Sequence, residues 1–118
     1  MTPEPGSSLL RDYVERLNHG VRGGDYGPMA ALLAADAELA FEGIPVGPFH
    51  GRAAILEAYR TSPPDDTFEL LEVRDQEPGV VEAVYAWSGR PDVAGGSLRA
   101  TVRDGLIATL LVRYGADG

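Results

Sequence analysis

Residues 79–114 read GVVEAVYAWSGRPDVAGGSLRATVRDGLIATLLVRY. The apolar residues in this stretch recur with a period of two, not 3.6. Val81, Ala83, Tyr85 and Trp87 fall on one side of an extended chain, and Leu98 and Ala100 flank Arg99 in the same way. This alternation predicts strands near 79–88, 95–103 and 106–114, with GRPDVAGG and RDG as the turns between them. A further strand is expected over 67–76, separated from the next by EPG. Consecutive strands joined by short turns describe an antiparallel meander.

The first half of the chain has a different period. Leu9, Leu10, Tyr13, Val14 and Leu17 recur at helical spacing behind Ser7 and Ser8, which are suited to capping, so a helix is expected over roughly 8–19. Gly20, Gly23 and Gly24 would end it. A second, short helix should open near Pro28 and run through Met29, Leu32 and Leu33. Ala37, Leu39 and Phe41 then alternate with Glu38, Ala40 and Glu42 as a strand, and Gly51–Arg60 returns to helical spacing before SPPDD at 62–66 stops it. Helices gathered before strands predict an α+β layer, a curved antiparallel sheet with helices on one face.

At 118 residues the chain is read as one domain, 1–118, able to enclose one cavity. Eighteen acidic against ten basic residues give a net charge of -8, which disfavours nucleic acid and anionic membranes as partners. No apolar run is long enough to span a bilayer, and MTPEPGSS lacks the basic start and apolar core of a signal peptide, so a cytoplasmic location is expected. The chain has no cysteine, and all ten basic residues are Arg. Thiol nucleophiles, thiolate metal sites and Schiff bases are thereby removed. His19 and His50 lack the paired spacing of a metal site, and no phosphate-binding or nucleophile-elbow pattern occurs, so any catalysis is expected to be acid–base work without metal or cofactor.

Three residues are the candidates for that work. Tyr13 lies one turn from Leu10 and Leu17, and Tyr59 one turn from Ile55, so both phenols should point inward, where a buried hydroxyl needs a partner. Glu42 stands alone in FEGIPVGPFHGR (41–52), a run otherwise apolar or turn-forming up to His50. In an apolar cavity its pKa would rise toward that of a general base. Strict alternation instead places it with Glu38, opposite Leu39 and Phe41, and only a bulge at Gly43 or the strand end would turn it inward. The sequence leaves both orientations open. Tyr85 and Trp87 share a face that is either sheet core or pocket wall. Arg99 should face solvent or a partner copy, and His50 should be solvated in a turn.

Tyr13 within YVERLN, the strand end AELAFEG and the segment GRAAILEAY (51–59) resemble the corresponding segments of the ketosteroid isomerases, members of the NTF2-like (SnoaL-like) superfamily. The similarity covers nearly the whole chain. It implies a cone-shaped barrel in which a curved sheet and three N-terminal helices enclose an apolar cavity. By the resemblance Tyr13 would donate to a dienolate oxygen, Glu42 would shuttle the proton, and Tyr59 would support Tyr13. Phe41, Tyr85, Trp87 and Leu98 would contact the substrate. Counting back without a gap from Gly51 puts the base at Glu42, whereas counting forward from Asp36 puts it at Phe41.

The chain departs from that family on the strand GSLRATV. Where relatives carry a protonated carboxylic acid as second oxyanion donor, this sequence has Leu98 or Arg99. Loss of one such donor typically costs about 2.7–4 kcal/mol of transition-state stabilisation. VRGG at 21–24 also looks inserted. The expected activity is steroid delta-isomerase-like proton transfer on an apolar small molecule. The alternatives are a polyketide cyclase or epoxide hydrolase of the same fold, and a non-catalytic binding module. A homodimer is expected, because Ile107, Leu111 and Val112 put Leu and Val on both faces of the last strand.

Overall fold

A computed structural model of the chain describes residues 5–43, 47–61, 67–89 and 95–114. The first helix, α1, spans Pro5–Gly23 and runs straight through Gly20. Packing explains why a glycine sits there: a Cβ at Gly20 would lie 2.5 Å from Cδ1 of Tyr26, whose ring rests on the helix backbone. Leu10, Tyr13, Val14 and Leu17 are all buried, as their spacing predicts. Burial of about 1.5–3 kcal/mol per large apolar side chain, more than helix propensity, holds α1 to the sheet.

Helix α2, Gly27–Ala30, has Pro28 in its first turn, and Asp25 Oδ1 accepts from the Gly27 N–H at 3.0 Å. It is shorter than the spacing predicts, because Leu33 already pairs with Ile107 in the sheet. Strand β1 covers Leu33–Glu42, β2 Phe49–His50, helix α3 Arg52–Thr61, and β3 to β6 cover Phe68–Glu77, Val80–Trp87, Gly96–Arg103 and Leu106–Tyr114. The turns expected at 62–66 and 90–94 fall outside the described residues.

One open six-stranded sheet, ordered β2-β1-β6-β5-β4-β3, carries α1 and α3 on its inner face. This is the α+β arrangement expected, with two differences: β2 adds a short edge strand, and β1 pairs with β6 in parallel, from Glu38 opposite Thr109 to Glu42 opposite Arg113. A parallel pair needs a long crossover, and here α3 and the β3–β5 meander supply it. Register shifts in β1/β6, β3/β4 and β5/β6 bend the sheet around the helices. The shift between Thr101 and Val102 also changes the parity of β6, so that Ile107, Leu110 and Val112 all point inward. The last strand thus carries apolar residues on both faces, as expected, with Ile107 and Val112 inward and Leu111 outward and half-buried.

Strand β3 is an edge, and α1 covers it. Asn18 Nδ2 donates to the Phe68 carbonyl and Asn18 Oδ1 accepts from the Phe68 N–H, both at 2.8 Å, so one side chain imitates a neighbouring strand. Ser7 Oγ donates to Asp75 Oδ2 at 2.6 Å farther along the same edge. Asn18→Ala strips both partners from a half-buried peptide group. It is expected to lower stability by about 1–3 kcal/mol, read as a lower urea midpoint with an unchanged slope. A midpoint equal to that of the wild type would show that the edge does not depend on Asn18.

Candidate active site

Helices α1 and α3 aim their tyrosines at one another. Tyr13 Oη lies 3.4 Å from Tyr59 Oη, with either hydroxyl able to donate. Tyr13 is 1% exposed, and burial, followed by the influence of Tyr59, raises its pKa well above the ordinary value of 10.0. It therefore stays a neutral phenol, able to give or take a hydrogen bond. Tyr26 stacks on the Tyr59 ring, centroids 5.6 Å apart, and fixes it from the side. A chain of contacts runs from Gly20 through Tyr26 to Tyr59 and positions the hydroxyl pair.

Tyr59 also borders a pocket of about 450 Å³ between β1, β2 and α3. Leu39 and Phe41 from β1 and Phe49 from β2 make one wall. Phe49 meets Phe41 edge to face, with centroids 6.4 Å apart and ring planes at 87°. Ala54 and Ala58 make the opposite wall, where small side chains on α3 leave the space open. Glu57 and Thr61 complete the lining, and Thr61 Oγ1 is already committed to the Glu57 carbonyl at 2.5 Å.

The structure brings Tyr13 and Tyr59 together but does not bring Glu42 to them. Glu42 ends β1 on the outer face of the sheet, its side chain 55% exposed, and Arg113 Nε donates to its Oε1 at 2.8 Å. Pairing with β6 is unbroken from Glu38 to Glu42, so alternation holds, and Gly43 takes its positive φ of 97° only after the strand has ended. Phe41, the other residue reached by counting, is the one that faces the pocket. Tyr85 and Leu98 are buried in the core, with Tyr85 Oη donating to the Arg113 carbonyl at 3.4 Å. Trp87 packs on Phe68, centroids 4.6 Å apart. None of these three lines the pocket beside Phe41.

On β5 the inward residues are Gly96, Leu98 and Ala100, so no carboxylic acid stands there, while Arg99 pairs with Glu82 outside at 3.3 Å. His50 is exposed, 3.9 Å from Glu38, and belongs to β2 instead of a turn.

The chain thus combines a curved sheet with helices on its inner face and a pocket between β1, β2 and α3 that Tyr59 borders. The model of the SnoaL-like domain matches residues 10–110. The chain belongs to the SnoaL-like family. A Kribbella flavida protein provisionally named a ketosteroid isomerase is 21% identical, with a TM-score of 0.69, over 98% of this chain and 81% of its own. The Mycobacterium tuberculosis protein RV0760c, in complex with estradiol-17β-hemisuccinate, is 17% identical, with a TM-score of 0.71, over 98% and 97%. A Xanthomonas campestris protein provisionally named a polyketide cyclase is 26% identical, with a TM-score of 0.66, over 94% and 90%. No curated protein matches the chain in sequence.

In this SnoaL-like chain the tyrosine that lines the pocket is Tyr59, whereas the resemblance implies that Tyr13 meets the ligand. Tyr59 meets the pocket and Tyr13 lies behind it. Sequence reasoning missed Phe49, Tyr26 and Glu57. For Glu57 the signal was present: Ala54, Glu57, Ala58 and Thr61 are spaced i, i+3, i+4, i+7 and share one helix face. For Phe49 there was none, because two strand residues flanked by Gly and Pro read as a turn.

Proposed function

We propose that the chain binds an apolar small molecule bearing a carbonyl or enolic oxygen and acts on it by ketosteroid-isomerase-like acid–base chemistry. The observation that carries this reading is an apolar pocket bordered by Tyr59, whose hydroxyl pairs with that of buried Tyr13. Tyr13, buried and neutral, polarises Tyr59, and Tyr59 donates to the ligand oxygen, where negative charge develops as a proton leaves the adjacent carbon. The steroid ester bound by RV0760c supports a fused-ring ligand.

Glu42 is the base in this reading. Its carboxylate is paired with Arg113 on the outer face, so the role requires that pair to break. Glu42→Gln is expected to abolish turnover of a β,γ-unsaturated ketone while ligand affinity is retained. Retained turnover would remove Glu42 from the mechanism and favour the cyclase reading, for which the Xanthomonas campestris relative is the support.

We also propose a homodimer through the outer sheet face, where Leu111 and Val84 sit among the Arg113–Glu42 and Arg99–Glu82 pairs. Sedimentation at micromolar concentration should give twice the chain mass. A monomer throughout would exclude it.

A further inference from the structure

Among the described residues that line the pocket, Glu57 alone is ionisable as a carboxylate. It is not among the acids of the fold that an arginine holds. Glu42 is held by Arg113, Glu82 by Arg99, Asp36 by Arg103 and Asp12 by Arg16. No described donor reaches the Glu57 carboxylate, and Thr61, one turn on, spends its hydroxyl on the Glu57 backbone oxygen. Arg60, three residues away on the same helix, forms no ion pair with it, and Arg52 is turned to the Leu33 carbonyl at 3.4 Å.

Glu57 and Tyr59 differ in depth as well as in charge. Two residues apart on α3, they leave the helix in nearly opposite directions. Both line the pocket, but Tyr59 is 9% exposed whereas Glu57 is exposed, which puts Glu57 at the pocket mouth. A ligand filling the space between Phe41, Phe49 and Ala58 would put an acceptor at Tyr59 and displace water from one side of the Glu57 carboxylate. That carboxylate then requires a donor from the ligand.

Resting on the reading that this pocket holds a small molecule, we infer that Glu57 is a specificity-determining residue that selects apolar ligands with a protonated amine at the end lying in the mouth, and rejects those with a carboxylate there. The net charge of -8 acts in the same direction. At physiological ionic strength, however, screening over about 8 Å leaves the local carboxylate as the main discriminator.

The test is calorimetric titration of the full chain at neutral pH and about 0.15 M salt with one steroid skeleton. The skeleton carries a ring ketone at one end and, at the other, an amine, an alcohol or a hemisuccinate carboxylate. The readout is the ratio of amine to carboxylate affinity, which does not depend on the fraction of protein that is folded. The wild type should favour the amine by about fivefold to tenfold, the scale of a partly exposed ion pair gained and a repulsion avoided. Glu57→Gln should bring the ratio to near one, and Glu57→Arg should invert it. A ratio that Glu57→Arg leaves unmoved, with all three ligands still binding, overturns the inference and leaves the pocket reading intact. Failure of the wild type to bind any of the three overturns the pocket reading and the inference with it.

Discussion

Tyr59→Phe will weaken binding of a phenolic steroid such as equilenin by about 10- to 150-fold, more than Tyr13→Phe will. The ligand phenolate imitates an enolate, and a hydrogen bond to a charged oxygen contributes about 1.5–3 kcal/mol. Tyr59 borders the pocket and Tyr13 does not, so in the proposed reading the Tyr59 hydroxyl makes this bond. Tyr13 acts through Tyr59 across 3.4 Å, and losing that polarisation should cost only about 0.5–1 kcal/mol. The resemblance to ketosteroid isomerases implies the opposite ranking, with Tyr13 the direct donor and Tyr59 its support. Titration of both variants separates the two. A larger loss in Tyr13→Phe would show that the ligand enters between the helices far enough to reach the buried phenol.

Both substitutions remove one oxygen and leave a ring, and the rings are what the core needs. Tyr13 is packed among α1 and sheet residues, and Tyr59 is stacked on Tyr26. The variants should therefore fold, and the affinity change should report the hydroxyls alone. The Tyr13–Tyr59 bond lost in either case would lower stability by about 0.5–1.5 kcal/mol, visible as a lower melting temperature without loss of the folded baseline.

What the sequence revealed and what it hid follow from the range of the interactions involved. The β4, β5 and β6 strands were legible because each is long enough for alternation to declare itself and is bounded by glycine-bearing turns. The convergence of Tyr13 and Tyr59 was legible too, since each sits one turn from a buried aliphatic on its own helix. Gly20 was misread as a stop because its neighbour in space, Tyr26, is invisible to a local pattern, and that contact outweighs the roughly 1 kcal/mol that a mid-helix glycine costs. The parallel β1–β6 pair could not be seen, because it joins residues some seventy positions apart. For Glu42 the local pattern held the answer: alternation put it with Glu38 on the outer face, and the structure keeps it there against Arg113. The pocket itself owes most to residues that carry no chemical signal, Ala54 and Ala58, whose contribution is the space they leave.

That space supplies the second large effect. Ala58→Trp will abolish ligand binding and leave the fold in place. Ala58 is half-buried on α3 and faces Leu39, Phe41 and Phe49 across a pocket of about 450 Å³. An indole built from this position would pack on the Phe41–Phe49 edge-to-face pair and occupy the volume that a fused-ring ligand needs. The pocket is open to solvent on one side, so the larger side chain can enter without compressing the interior. The usual overpacking cost of about 1–3 kcal/mol then does not apply in full. Burial of aromatic surface against two phenylalanines offsets the loss of about 0.5 kcal/mol in helix propensity. The melting temperature should stay within a few degrees of the wild type while titration with the steroid series gives no heat. Undiminished affinity in Ala58→Trp would place the binding site away from α3, and with it would fall the assignment of Tyr59 as the residue that meets the ligand.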